Sequence, residues 1–244
     1  QVDAPFFSLK ACIKFQNTDH HLHLSKPDTS PPRIQLNHQT TRSRAQLARL
    51  LPIQFIDCHS HRLFASAPKH RRALLDWGLF HVEQSFHNAW KRYNSGLKQR
   101  NHSLKMRHST AEITAWDETL CEHAATLNTA RKHYVESLND ILQSRWSAYD
   151  IPHAIELGYD PGWDDGQSYA HALAQQFARD RQLGYTSTGP HRADLRLMSK
   201  DQNALSLFSQ GQQKSLFLAI ILAQSTLYAQ TNNQRTPILL FDDL

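Results

Sequence analysis

The sequence is poor in cysteine and contains no long hydrophobic run. Its three cysteines, Cys12, Cys58 and Cys121, are odd in number and widely spaced, which argues against a disulfide framework. Such cysteine usage is typical of a reducing compartment, so we predict a cytoplasmic location. No apolar run approaches the length needed to cross a bilayer, and we therefore predict no membrane partner.

A phosphate-binding loop of the form Gly-x-x-x-x-Gly-Lys-Ser/Thr is also absent from the 244 residues. The backbone amides and the lysine of such a loop hold the nucleotide phosphates in many ATPases. We therefore expect the polypeptide as given to bind ATP weakly or not at all, and not to hydrolyse it. Its length leaves room for one large domain or two smaller ones.

Acidic residues are scarce in the first part of the chain. Residues 1–110 carry 17 Lys and Arg against 6 Asp and Glu, a net charge of +11, whereas residues 111–244 carry −6. No acidic residue occurs from Gln84 to Ala111, and this stretch combines six cations with two aromatic rings: Lys91, Arg92, Lys98, Arg100, Lys105 and Arg107, with Trp90 and Tyr93. This pattern predicts binding to a polyanion such as nucleic acid. A solvated basic helix face is the alternative.

A helix start is recognisable at Ser209. Gln212 lies three residues further on, and a Ser/Gln pair at this spacing forms a capping box. Apolar residues then recur at helical spacing from Leu216 to Leu227, which predicts a helix buried inside a layered domain. Its free first-turn amides, the small Gly211 and the Ser209 hydroxyl suit the docking of a phosphate oxygen. An ordinary capped core helix is the alternative.

A continuous apolar run at 238–241 follows this helix and ends in Asp242 and Asp243. Such a run predicts a parallel strand that is covered on both faces. Carboxylates at the end of such a strand lie in the crevice where open α/β sheets bind ligands. Adjacent strand residues point in different directions, so one carboxylate can face a metal and the other a water. A strand that enters an ordinary turn is the alternative.

The order of these features resembles the ABC-type heads of the SMC and RecF proteins: a Ser-x-Gly-Gln-x-Lys signature, an apolar helix, then a strand with paired acids. Further segments are similar to motifs of the RecF family: Arg-Arg-Ala-Leu-Leu-Asp at 71–76, Leu-Lys-Gln-Arg-Asn at 97–101 and Gly-Pro-His-Arg-Ala-Asp-Leu at 189–195. Because these motifs follow the family's order over most of the chain, the sequence resembles the RecF family.

The resemblance implies an α/β fold of the ABC-type ATPase head, a mixed sheet with flanking helices, with an inserted α-helical lobe or short coiled arm. It implies ATP and Mg²⁺ as cofactors, with Asp242 holding the metal through water and Asp243 as the catalytic residue that orients or deprotonates the attacking water. The signature residues would contact ATP held by the other head of a homodimer: Ser209, Gly211, Gln212 and Lys214. In this family the phosphate-binding loop precedes the segment seen here, so we expect it upstream of Gln1.

The implied function is that of a DNA-binding ATPase of recombinational repair and replication. Its ATP-dependent dimer would clamp DNA, single- or double-stranded and gapped, and help to load recombinase together with the RecR protein at the nucleoid. The candidate DNA-binding residues lie in the motifs: Arg71, Arg72, Lys98 and Arg100. For Arg71 and Arg72, an ion pair with Asp76 or with a neighbouring lobe is the alternative. Two other functions compete: an SMC-like tethering ATPase, favoured by a long heptad insertion, and a truncated DNA-binding remnant without hydrolysis.

Residue patterns predict the remaining elements. Strands are predicted at 6–16, 20–25, 33–37 and 53–56, a short helix at 45–51, helices from about 69 to 181, and a loop at 158–166. Between Leu120 and Arg145, mostly apolar residues recur in steps of four and three, a seam interrupted by Arg131 and Arg145, which predicts either a short coiled arm or a plain helical bundle. We predict three domains: 1–68 and 183–244 as parts of the head, and 69–182 as the helical lobe.

Overall fold

The described chain begins with strands and continues mainly with helices, as the sequence predicts. The computed structural model describes residues 6–15, 17–27, 31–41, 43–145, 155–199, 202–203 and 207–242. The strands are β1 Phe6–Phe15, β2 Thr18–Pro27, β3 Arg33–Leu36, β4 Gln39–Thr41, β5 Ile53–Asp57, β6 Glu156–Asp160, β7 Asp194–Ser199, β8 Gln202–Asn203 and β9 Ile238–Asp242. The helices are α1 Arg44–Leu50, α2 Pro68–Val82, α3 Phe86–Lys105, α4 Thr110–Thr114, α5 Asp117–Gln143, α6 Tyr169–Leu183 and α7 Gln210–Thr231, with a 3-10 helix at Ser60–Ala65.

Packing divides the chain into two units. The first contains the described residues within Gln1–Phe55 and Pro237–Leu240, and the second contains those within Ile56–Thr236 and Phe241–Leu244. The division therefore runs through the paired strands β5 and β9. The three domains predicted above follow chain order rather than packing, and that division stays a prediction.

The first unit is built on an antiparallel sheet in the order β1-β2-β3-β4. Leu9 pairs with Leu24 and Ala11 with Leu22, so the apolar side chains of β1 and β2 share one face. Lys10 and Cys12 lie on the opposite, polar face, because successive side chains of a strand alternate. Asn17, with φ at 60°, makes the turn between the two strands, and Asn tolerates this left-handed conformation better than most residues.

The second unit is a helical layer organised around α5. Leu120, Ala124 and Leu127 of this helix have 0% exposure. Their helix packs against α2, α3, α6, α7 and β6. Of the two alternatives for this segment, the bundle is therefore the one found, and the coiled arm is not. Burial of each large apolar side chain contributes about 1.5–3 kcal/mol, so this stripe is a main source of the unit's stability.

Two details differ from the sequence-based expectations. Gly158, predicted in a loop, lies within β6, where a Cβ atom would approach Met198 Cγ of the neighbouring strand to 2.7 Å. Here a larger residue would force the Met198 side chain to move, so close packing rather than a turn favours glycine. β9, predicted to be covered on both faces, pairs with β5, yet Ile238, Leu240 and Phe241 are 43–50% exposed. Full coverage of this strand is therefore not found in the described chain.

Every helix in the described part of the chain is too short or too polar to cross a membrane.

Candidate functional site

Ser209 begins α7 as its N-cap. Its hydroxyl accepts a hydrogen bond from the Gln212 amide at 3.3 Å, and the Gln212 side-chain oxygen accepts one from the Ser209 amide at 3.0 Å. This reciprocal pair is the predicted capping box. Within the described chain, the amides of Gln210 and Gly211 have no hydrogen-bond acceptor, as expected for the first turn of a helix. The helix start can therefore donate two backbone hydrogen bonds to an outside acceptor.

The surface around this helix start is open. Ser209, Gly211 and Lys214 are exposed, and Gln212 is half-buried. Among the described residues, a Cβ atom at Gly211 would meet only Ser209 Oγ, at 4.0 Å. Packing within the chain therefore does not demand a glycine here, and the missing side chain leaves room for a group that approaches from outside. The N-terminal end of the helix dipole favours an anionic group in that space.

The body of α7 anchors this open start in the core. Leu216, Ala219 and Ile220 have 0–1% exposure, and Phe217, Ile221 and Ala223 are also buried. Gln224 is buried as well, and its amide nitrogen donates to the Leu74 carbonyl and the Tyr134 hydroxyl. The signature residues therefore project from a rigid element, which suits the positioning of a ligand.

Asp242 ends β9 with its side chain exposed, whereas Asp243 lies outside the described residues. A carboxylate oxygen is the kind of ligand that Mg²⁺ prefers, so Asp242 fits a metal-binding role chemically. Within the described residues, no three His, Cys, Asp or Glu side chains are grouped as a metal site, and no hydrogen bond or ion pair joins Asp242 to the start of α7.

The three motif segments found in the sequence converge on the stretch 186–194. Arg71 of the first motif forms a two-pronged ion pair with Asp194, at 2.7 and 2.8 Å. Its remaining terminal nitrogen donates to the carbonyls of Phe64 and Ser66. Arg72 donates to the Ala193 carbonyl at 2.5 Å. The first motif is thereby fixed to the start of β7.

Asp76, which ends the first motif, is paired with Arg131 of α5. Three hydrogen bonds of 2.8–3.1 Å join the two side chains. Arg131 also donates to the Pro190 carbonyl at 2.7 Å. Burial raises the pKa of Asp76, and the charge of Arg131 opposes this shift. An arginine that interrupts the apolar seam of α5 thus connects two motifs.

Arg100 of the second motif is the most deeply buried cation of this region. Its side chain has 0% exposure and lies 2.8 Å from Asp117, Asp180 and Thr186. Burial disfavours its charged form, but the hydrogen bond to Asp180 and the two carboxylate charges outweigh this effect and raise its pKa. The neighbouring Asn101 accepts hydrogen bonds from the Thr186 amide and hydroxyl.

His191 completes the network as a neutral side chain. Burial lowers its pKa to about 4, so the ring is uncharged at neutral pH. Nε2 donates to the Thr186 carbonyl at 3.0 Å, which leaves Nδ1 to accept from the Tyr93 hydroxyl at 2.8 Å. Gly189, at φ 125°, packs so tightly that a Cβ atom would lie 2.3 Å from the Tyr169 hydroxyl.

These contacts bear on the predicted DNA-binding residues, whose role stays a prediction. Arg71 and Arg100 are buried in ion pairs, so their guanidinium groups are not available to a phosphate, and we assign both a structural role. The alternative for Arg71 was an ion pair with Asp76 or with a neighbouring lobe, and in the structure Arg71 pairs with Asp194. Arg72 is half-buried, and burial together with the nearby Arg131 lowers its pKa. Lys98 is exposed.

The exposed face of α3 carries the cations that remain available. Lys91, Lys98 and Lys105 are spaced seven residues apart and are all exposed, so they follow one line along the helix. Consecutive lysines are about 10 Å apart at the helical rise of about 1.5 Å per residue. Arg92 is exposed beside this line. We call these three lysines the α3 stripe.

Curated proteins are similar to this sequence over most of its length. The "DNA replication and repair protein RecF" of Pseudomonas putida is 42% identical over 214 residues, which are 86% of this chain and 58% of that protein. The protein of the same name from Hydrogenovibrio crunogenus is 38% identical over 86% of this chain and 59% of its own length. The chain therefore spans less than two thirds of the length of these relatives. No family model matches the sequence.

Solved structures share the fold. The "recombination mediator protein RecF-ATPrS in RecFOR pathway" superposes with a TM-score of 0.85 at 18% identity, covering 100% of this chain and 69% of that one. The "recombination mediator protein RecF-ATP in RecFOR pathway" gives a TM-score of 0.86 at 18% identity over 99% of this chain and 68% of that one. These matches confirm the predicted ABC-type ATPase head with a helical lobe.

Proposed function

The chain belongs to the RecF family over the 214 residues that match, and from this premise we propose that it acts as part of a DNA-binding ATPase of recombinational repair and replication. The observation that carries the proposal is the open, capped start of α7, with an exposed lysine and two amides that have no acceptor among the described residues. A helix start of this kind is a ready site for a phosphate group. A cytoplasmic location at the nucleoid follows from a DNA partner.

In the proposed cycle, the start of α7 contacts ATP that a second copy of the protein holds. The Ser209 hydroxyl, the amides of Gln210 and Gly211 and the Lys214 ammonium would face the γ-phosphate. The open space at Gly211 lets this phosphate approach the backbone. Two heads joined through ATP in this way would clamp DNA and help to load recombinase with a RecR-type mediator.

The paired acids complete the proposed site. Asp242 would hold Mg²⁺ through water, because its exposed carboxylate can accept hydrogen bonds from the metal's water ligands. The bound metal would supply charge neutralisation for the phosphates. Asp243 would orient the attacking water or take its proton.

Ser209→Arg is expected to abolish ATP-dependent dimerisation, because a bulky cation would fill the space where the partner's phosphate docks. Nucleotide binding by each monomer should remain. Sedimentation of the full-length protein with and without ATP would measure the effect. Ser209→Thr retains a capping hydroxyl and is the matched control, which should still dimerise. An unchanged dimer in Ser209→Arg would leave Ser209 as a helix cap alone.

The α3 stripe is the proposed surface for the DNA backbone. Its three lysines are exposed, lie on a rigid helix and belong to a stretch without acidic residues. Contacts from such cations release counterions from DNA without reading its bases. Arg71 and Arg100 support this surface from inside by fixing α2 and α3 to the stretch 186–194.

Charge reversal of the α3 stripe, Lys91, Lys98 and Lys105→Glu, should weaken DNA binding alike for all sequences. The slope of log affinity against log salt should become shallower by about one for each lost phosphate contact. Fluorescence anisotropy over a salt series measures both. The matched control reverses three exposed cations elsewhere, Lys132, Arg179 and Arg181. Equal losses in both variants would show that net charge, not this surface, governs binding.

The packing of α5 in a helical bundle argues against the alternative function, an SMC-like tethering ATPase. A tether needs a long projecting arm, whereas the longest described helix, α5, is packed against five other helices. This compact lobe favours the RecF-type function over the tether.

A further inference from the structure

A group of aromatic rings lies at the N-terminal end of α3. Trp90 remains 39% exposed. The His87 ring lies nearly parallel to it, with 13° between the planes and 6.5 Å between the centroids. Phe80 of α2 meets His87 edge-on at 5.1 Å. Trp90 is therefore an exposed ring with further aromatic side chains beside it.

The orientation of the Trp90 ring is fixed by the buried network. Its indole N–H donates to Asp76 Oδ2 at 3.2 Å, and Asp76 is held by Arg131 through three hydrogen bonds. Arg131 is 2% exposed. An exposed tryptophan thus takes its position from an ion pair in the core, which lowers the entropy that it would lose on binding a ligand.

The charges around this ring favour an anionic ligand. Lys91, the next residue of α3, is exposed and lies about 100° around the helix from Trp90. The acid that touches the ring, Asp76, is already paired with Arg131. The α3 stripe extends the positive surface from Lys91 towards Lys105. Exposed aromatic rings beside cations are the arrangement by which proteins hold single-stranded nucleic acid, since a base stacks on the ring while the phosphates meet the cations.

We propose that Trp90 is a stacking platform for an unpaired base of single-stranded DNA, with Lys91 contacting a phosphate beside that base. This proposal rests on the DNA-binding function proposed above and adds a specific site to it. Bases in a duplex are stacked on each other and cannot cover the Trp90 ring, whereas an unpaired base can. The α3 stripe binds either form through phosphates, so the platform is what gives this surface a preference for unpaired bases.

The test compares three DNA probes with the full-length protein: an oligothymidylate, an abasic oligonucleotide of equal length and a duplex of equal length. Trp90→Ala should weaken binding of the oligothymidylate about tenfold or more, the range expected for the loss of one base stack. Binding of the abasic strand and the duplex should stay within about twofold, because their contacts run through phosphates. Trp90→Phe should retain most of the oligothymidylate affinity.

Two control variants separate this proposal from its premise. Met106→Ala removes an exposed apolar side chain from the far end of the same helix region and should change no affinity. Lys98→Glu should weaken all three probes. If Lys98→Glu does so while Trp90→Ala changes nothing, the platform is overturned and the DNA surface stands. If Trp90→Ala weakens all three probes alike, the ring has only a structural role. A wild-type protein that binds none of the probes overturns both proposals.

Discussion

Replacing Arg100 with alanine is expected to lower the free energy of unfolding by about 3–5 kcal/mol, the usual cost of removing one partner from a buried ion pair. The Arg100 side chain has 0% exposure, and so does that of its partner Asp180. Without the guanidinium, Asp180 keeps only its hydrogen bonds from the Ser187 amide and hydroxyl. Its charge would then stay buried without a cation. Thr186 would lose a hydrogen-bond donor at the same time.

Chemical denaturation of the full-length protein would measure this loss. Lys98→Ala is the matched control, because Lys98 is a cation on the same helix, two residues earlier, but exposed. It should change stability by no more than about 0.5 kcal/mol. Arg100→Lys keeps the positive charge, but a lysine ammonium lacks the planar guanidinium that reaches all three acceptors. The stability of Arg100→Lys should therefore lie between those of Arg100→Ala and Lys98→Ala. If Arg100→Ala is as stable as Lys98→Ala, the ion-pair network does not hold this region together.

The elements that depend on local sequence could be predicted. Ser209 and Gln212, which form the capping box, are only three residues apart in the sequence. The helix that follows has its own apolar periodicity, so both features can be predicted from the sequence. The strands β1 to β3 and β5 were predicted for the same reason. Local hydrogen bonds and periodic burial leave a direct trace in the order of residues.

The ion-pair partners could not be predicted, because they lie far apart in the chain. Arg71 and Asp194 are separated by 123 residues, and Arg100 and Asp180 by 80. A single sequence, taken by itself, does not show which acidic residue pairs with which basic residue across such distances. One signal was available: Arg131 falls at a core position of the α5 seam, and a charge placed there requires a buried partner. The exposed cations Lys91 and Lys98 look the same in sequence as the buried Arg100.

The orientation of the Trp90 side chain could not be predicted from the sequence either. The sequence places it beside Lys91 and Arg92, which indicates a nucleic-acid surface in general. Its fixed orientation depends on Asp76 and Arg131, which come from two other helices. The difference between a mobile surface ring and a positioned one therefore appears only when the helices are packed.

Asp243→Asn in the full-length protein is expected to reduce ATP turnover by a factor of about 10²–10⁴, the usual contribution of a general base. An amide cannot take a proton from the attacking water, although it is close to the carboxylate in size. Binding of ATP and ATP-dependent dimerisation should persist, because the lost interaction acts on the transition state rather than on the bound ground state. Single-turnover hydrolysis and equilibrium nucleotide binding measure the two effects separately.

Asp242→Asn is the informative comparison. Because Asp242 is proposed to hold the metal, its substitution should weaken Mg²⁺-dependent ATP binding as well as turnover. Turnover equal to that of the parent in Asp243→Asn would remove this residue from the catalytic assignment, while a loss of binding would assign it to the metal instead.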